Sequence, residues 1–376
     1  MPAAVPGDLR RSIGTASIAI ATLMIVSVAL RTGVFGVGDY SDIVHLYRRD
    51  GLVDHPAPYF DYSLEYPVLT GAFVWVVGFV RWSAGLYFVA SSAILAALAV
   101  ATVRMLERFP SVNPWLLAAA PAVAFWGVQN WDFLGIALLV AALLLHERGR
   151  NAAGAAVLAL AVWAKFFPIV ALPVVLALRI AQGRFRAAAI VALVFAGVTV
   201  LLNAPVAIEV KDGAIQLRDG WTWFFVYSHE RFAEATIWNS LDLTVGEANR
   251  WSAVTLGLGL TVLLGLTVRG VRRGQDLVLL PAVAGALLLL FATGKVYSVQ
   301  YSLWVLLALA LAGLPLRAMV AVAIVDILFF VTLWGGLRWL GEPWPGTFLT
   351  IVRQAGTAVL AAWVMARLAR PLGSAA

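Results

Sequence analysis

Residues 130–179 read NWDFLGIALLVAALLLHERGRNAAGAAVLALAVWAKFFPIVALPVVLALR. Three apolar runs, 132–145, 151–165 and 166–178, are joined by a turn carrying Arg148 and Arg150 and by a break around Lys165 and Pro168. A bilayer core of about 30 Å takes about 20 apolar residues per helix, and shorter pieces are tolerated where protein surrounds them. Outward from this stretch the same kind of segment recurs near 13–30, 67–80, 84–103, 114–128, 187–203, 252–268, 277–292, 297–314, 318–334 and 348–366. The composition agrees: of 376 residues 62% are hydrophobic and 12% charged, against roughly 45–50% and about 25% in a soluble domain. Too little polar surface exists to cover a water-soluble globule. The expected fold is an all-α polytopic transmembrane protein forming one domain, 1–376, without internal repeats or low-complexity tracts.

Charge sets the expected orientation. Basic residues occupy short connections: Arg10/Arg11, Arg148/Arg150, Arg179/Arg184/Arg186, Arg269/Arg272/Arg273, Arg317 and Arg367/Arg370. The positive-inside rule places these, and both termini, in the cytoplasm. The first span follows Arg10 and Arg11 and reads as an uncleaved signal anchor. Thirteen of the twenty acids fall in two long segments, a first outer loop (31–66) and a large outer loop (204–251). Thirteen candidate spans would put the C-terminus outside, so an even number near twelve is expected. Either one segment between 67 and 178 is re-entrant, or two short pieces form one broken span. The net charge of +7 is accounted for by this orientation, which leaves no case for a nucleic-acid partner. Absence of Cys excludes disulfides, thiolate metal sites and a cysteine nucleophile, and the four scattered His make no zinc pattern.

Four polar constellations stand against this background. The first outer loop contains YSDIVHLY (40–47) and EYPVLTG (65–71), with Asp39, Asp42, Tyr47, Glu65 and Tyr66. A long loop rich in aromatics and acids is a functional candidate, with Asp42 to Tyr47 as one or two helical turns at the interface and Tyr47 and Tyr66 as amphipathic anchors. Gln129, Asn130, Trp131 and Asp132 form the second set, which reads equally as a polar turn with an acid at a helix start. Lys165 inside VWAKFFP costs about 2.5–3.5 kcal/mol in a span unless it finds an anionic partner or snorkels. The third set, DGWTWFFVYSHERFAEATIWNSLD (219–242), crowds Trp223, His229 and Arg231 among other aromatics, which suits either an interfacial belt or a sugar site. The fourth, GKVYSVQYSLW (294–304), brings Lys295, Tyr297, Gln300 and Tyr301 to the outer end of a span. Asp326, in AIVDILFF, is an intramembrane acid and so a candidate proton or ion ligand, or a structural partner of a neighbouring helix. No nucleotide-binding loop, nucleophile elbow or HExxH motif occurs.

Residues 130–179, YSDIVHLY, EYPVLTG and GKVYSVQYSLW, in this order, resemble the polyprenol-phosphate-mannose-dependent mannosyltransferases of glycosyltransferase family 87, in the multi-span GT-C superfamily, and most nearly actinobacterial members. The resemblance implies inverting transfer of a hexose, mannose in the family, from a polyprenyl-phosphate donor to a lipid-linked or glycan acceptor on the outer face of the cytoplasmic membrane. It further implies that Asp42, with Asp39 in reserve, is the general base. Lys295, Lys165 and Arg231, with Tyr297, Gln300 and Tyr301, would meet the donor phosphate. Tyr47, Glu65, Tyr66, Asp132, Trp223 and His229 would meet sugar and acceptor, Asp132 either orienting the acceptor or binding a divalent metal. No cofactor is required. EYPV replaces the commoner YPP pattern of the family. The competing class is a transporter or lipid flippase with Asp326 as its coupled acid and Pro168 and Pro173 breaking helices around a midplane site. A third is a catalytically silent envelope scaffold.

Overall fold

The computed structural model describes residues 7–34, 36, 40–275, 278–334 and 344–370; Asp39 lies outside them. The chain runs through α1 (Gly7–Arg31), a short α2 (Asp42–Arg49), α3 (Val68–Val77) prolonged by a 3-10 turn to Val80, α4 (Ala84–Leu106), α5 (Trp115–Ala118), α6 (Pro121–Trp126), α7 (Asp132–Glu147) and α8 (Asn151–Ala164). A 3-10 turn, Phe167–Val170, leads into α9 (Ala171–Ala181), followed by α10 (Phe185–Ala207), a hairpin of β1 (Ile208–Lys211) and β2 (Ala214–Leu217), α11 (Asp219–Glu230), α12 (Ile237–Ser240) and α13 (Val245–Arg272). The last helices are α14 (Leu279–Thr293), α15 (Ser302–Leu311), α16 (Leu316–Trp334) and α17 (Trp344–Ala369).

Each expected apolar segment is helical, and Pro121 splits 114–128 into α5 and α6 because it has no N–H to continue the ladder. The described residues are mostly helical, in line with the all-α expectation, and the large loop adds one antiparallel two-stranded hairpin. Among the described residues, five helices are long and apolar enough to cross a bilayer. Their outward faces carry Leu193, Leu201 and Leu258, more than 60% exposed, which suits lipid rather than water. The protein is therefore a helical membrane protein. The shorter apolar helices sit inside: every residue of α15 is buried, as is most of α14. Helix α13 starts where Thr244 and Glu247 cap each other reciprocally, each side chain bonding the other's backbone N–H.

Two ends of the bundle are stitched separately. At one, Arg179 bonds Asn151 and the His146 carbonyl, Arg367 bonds the carbonyls of Ala312 and Gly313, and Gln275 bonds that of Arg370. At the other, residues 41–42 join 128–130, and 234–236 join 295–297. Helix α3 keeps company with the first loop along its whole length. Gly71 packs on Tyr59, His55 Nε2 lies 2.9 Å from the Trp75 carbonyl, the His55 ring stacks on Trp75 at 5.2 Å, and Tyr47 donates to the carbonyl of Arg81 just beyond it.

Candidate functional site

Helix α2 begins on the 128–130 segment. The Ser41 hydroxyl donates to the Val128 carbonyl (2.9 Å) and accepts from the Ile43 N–H, while the Asp42 N–H bonds the Gln129 carbonyl (3.0 Å). A serine cap followed by an acid in the first turn suits the exposed N–H groups and positive dipole of a helix start. Asp42 is thus fixed through its backbone, half-buried, with a carboxylate that reaches Asn130.

Asn130 is the junction. Its amide nitrogen donates to Asp42 Oδ2 (2.7 Å) and contacts the Tyr66 hydroxyl (2.6 Å), and its carbonyl oxygen accepts from Lys165 Nζ (2.9 Å) and the Trp131 N–H (2.6 Å). An ammonium has only donors, so Lys165 forces the amide oxygen toward itself and turns the NH2 toward Asp42. Lys165 Nζ lies 3.5 Å from Asp132 Oδ2 and 5.0 Å from the Tyr66 ring centre, and Asp132 Oδ1 accepts from the Trp304 indole (2.7 Å). A line therefore runs from half-buried Asp42 through Asn130 and Lys165 to fully buried Asp132 and Trp304. The intramembrane lysine meets its anion instead of snorkelling. It stands at the end of α8, where the backbone leaves the helix. Across from it Gly135 leaves room: a Cβ there would fall 2.7 Å from Lys165 Cβ and 3.1 Å from the Trp304 ring.

Asp132, expected near the acceptor, is enclosed. The divalent metal that the resemblance allows there does not fit either, because the ammonium of Lys165 already stands where a cation would neutralise the carboxylate. Tyr47, expected as an interfacial anchor, is instead buried: α2 turns Ile43, Leu46 and Tyr47 into the protein, and the Tyr47 ring packs 5.2 Å from Tyr87. Tyr66 stands edge-on to Trp131 at 5.3 Å. Glu65 takes a two-pronged contact from Arg49 (2.7 and 2.6 Å), which also bonds Asp50. The Glu65 bond holds the Arg49 guanidinium above its ordinary range, and burial raises the Asp50 carboxyl against the pull of Arg49. The Tyr40 phenol is raised by burial first and then by the charge of Asp42.

The later cations gather beside this line. Arg231 pairs with Glu234, whose backbone bonds Lys295 and Tyr297, and Lys295 Nζ donates to the His229 carbonyl (2.8 Å). Burial, then the charge of neighbouring Arg231, pulls the Lys295 ammonium below the usual lysine range. Tyr301 packs on Phe167 (4.8 Å), whose ring also packs on Trp304 (5.4 Å), the donor to Asp132, so this cluster adjoins the Asn130 line through aromatic contacts. The His229 side chain is exposed, and Trp223, partly exposed, neighbours Tyr227 on α11.

Tyr297 and Gln300 are buried. Tyr297 bonds Thr357 (2.9 Å) and lies under the Arg353 guanidinium at 4.5 Å. Arg353 reaches Asp326 (3.7 Å) and Ser302, and Ser302 donates to Asp326 Oδ1 (2.6 Å). Asp326 is thus a buried, paired acid beside an apolar cavity of about 510 Å³ between α16 and α17. Tyr297 belongs to this second cluster rather than to Lys295. Asn130, Trp304, Arg49 and Arg353 went unassigned among the sequence candidates. Arg353 had a signal, an arginine within an apolar helix that needs an anion as much as Asp326 needs a cation. The chain matches no family model, and no curated protein matches it significantly.

Proposed function

We propose that the protein is an integral-membrane glycosyltransferase that moves a hexose, mannose by resemblance, from a polyprenyl phosphate to a lipid-linked or cell-envelope glycan hydroxyl, with inversion, on the outer face of the cytoplasmic membrane. The observation that carries the proposal is the Asp42 carboxylate, fixed at a helix start, partly open, and aimed by an amide that Lys165 itself holds in place. In the proposed step the acceptor hydroxyl oxygen bonds to the anomeric carbon from the face opposite the phosphate. Its proton passes to Asp42, and the electron pair of the breaking carbon–oxygen bond leaves with the polyprenyl phosphate. Charge grows on that phosphate in the transition state, where Lys295 and Arg231 favour it selectively. Lys165 acts one step back, as the cation that organises Asn130.

The same proposal includes twelve crossings with both termini cytoplasmic. Helices α5 and α6 then form one broken span, and α3 dips into the protein and returns; its contacts with His55, Tyr59 and the Tyr47 hydroxyl support the return. The transporter alternative has less support, because the carboxylate it needs free for exchange is engaged through Oδ1 by both Arg353 and Ser302.

The test is transfer of label from radiolabelled polyprenyl-phosphate-mannose in membranes holding wild type or Asp42→Asn at equal amounts. Transfer that disappears with the asparagine while donor binding persists supports the proposal. Undiminished transfer removes Asp42 as base, and absence of both transfer and donor binding in wild type removes this donor class.

A further inference from the structure

The hairpin β1–β2 has two unlike faces. Opposite residues in an antiparallel pair share a face, and the register sets Ile208 against Leu217 and Val210 against Ile215. All four are exposed, Val210 and Ile215 by 73% and 79%. On the other face Glu209 opposes Gln216, which bonds it at 2.9 Å, and Glu209 also pairs with Arg218 at 2.9 Å. The tip is Asp212–Gly213, both at positive φ, the residue pair that tight hairpins favour. A lone two-stranded hairpin is marginal in water, and an uncovered apolar face makes it more so.

Its place in the chain says what covers that face. The hairpin follows α10 without a linker and is tied back to it, the Arg218 N–H bonding the Ala207 carbonyl (2.7 Å) and its guanidinium that of Val206 (3.0 Å). Helix α10 is the kind of helix that faces lipid: few of its residues are buried, and Val200 and Leu201 near its end are 61% and 75% exposed. Its 23 residues span about 35 Å, slightly more than the bilayer core of about 30 Å, so the hairpin begins where hydrocarbon gives way to headgroups. We infer that the hairpin lies in the membrane interface. Ile208, Val210, Ile215 and Leu217 continue the lipid-facing surface of α10 into the acyl region, and Glu209, Lys211 and Gln216 face water. The partner is bilayer lipid, and the inference stands apart from any catalytic role.

The chain has no cysteine, so single labels carry no background. Nitroxides placed through Val210→Cys and Ile215→Cys, with Glu209→Cys and Gln216→Cys as neighbours on the opposite face, would be read in the full chain reconstituted in phospholipid vesicles. The expected result is alternation. Positions 210 and 215 collide several-fold more with oxygen, which concentrates in lipid, than with a water-soluble nickel chelate, and 209 and 216 do the reverse. Equal access of nickel to both faces would overturn the inference, as would exclusion of both reagents from 210 and 215, the signature of a protein partner or second copy on that face.

Discussion

An asparagine amide can present either its oxygen or its NH2 to a neighbour, and at position 130 the choice decides whether the Asp42 carboxylate meets a donor or a repelling acceptor. Lys165 makes the choice by taking the oxygen. A hydrogen bond to a charged group contributes about 1.5–3 kcal/mol. If the proposed base depends on that bond for its aim, Asn130→Ala lowers the rate of sugar transfer by roughly 10- to 100-fold. Initial rates in membranes at matched protein levels check this, and an unchanged rate would reduce Asn130 to a brace between α2 and α7. The Asp326–Arg353 pair poses the opposite question, since the proposed step gives it no part. Removing one partner of a buried pair costs about 3–5 kcal/mol, whereas replacing both by apolar residues of similar size is often neutral. Arg353→Met is therefore expected to lower thermal stability in nanodiscs, and adding Asp326→Leu to recover most of it with transfer activity intact. A double variant that is stable but inactive would bring the transporter alternative forward.

At the scale of elements, α7 and α8 are set by how closely they approach, and Gly135 permits that approach. A methyl there meets Lys165 Cβ and the Trp304 ring, the two groups on either side of Asp132, and at 2.7 Å something must move. Gly135→Ala is expected to shift Lys165 and lower transfer several-fold. Gly257→Ala in α13, where nothing lies within 4 Å, leaves activity unchanged and strengthens the helix slightly. Equal effects at both positions would mean that helix propensity, not the approach, governs the outcome. The helices themselves were legible because apolar length alone marks them. Their breaks were less so: Pro121 is visible as a breaker, but the proposed return of α3 rests on contacts with His55 and Tyr59 that no local pattern records. The hairpin carries its own signal, Asp-Gly between alternating residues, in a segment where apolar runs dominate attention. Within the site, Lys165 stood out as a charge in apolar surroundings, Asp42 was singled out among the acids of its loop by the resemblance, and Asp132 read equally as an acid at a helix start. Their connection through Asn130 did not stand out, because a polar residue at a turn reads as solvated until the tertiary fold buries it.

The whole molecule has two chemically different ends, and the path of α3 decides how the chain threads them. Short basic connections, including Arg148, Arg179, Arg184 and Arg367, meet at the end where Arg179 bonds the His146 carbonyl and Arg367 those of Ala312 and Gly313. The acids of the first loop gather at the other, around Asp42, Asp50 and Glu65. Positive-inside sorting favours bases on the cytoplasmic side, so the proposed orientation turns the basic end inward. With α3 returning, the proposed count is twelve crossings; with α3 crossing, the C-terminal end would emerge outside, carrying Arg367 and Arg370 with it. Single cysteines in this cysteine-free chain separate the two cases. Val53 and Trp82, both exposed, flank α3, while Arg148 and Arg184 are exposed in the basic turns. In intact cells a membrane-impermeant maleimide is expected to label Val53→Cys and Trp82→Cys alike, and to reach Arg148→Cys and Arg184→Cys only after permeabilisation. Labelling of Trp82→Cys that also waits for permeabilisation would make α3 a true span, reverse every helix after it, and leave the basic turns on the wrong side.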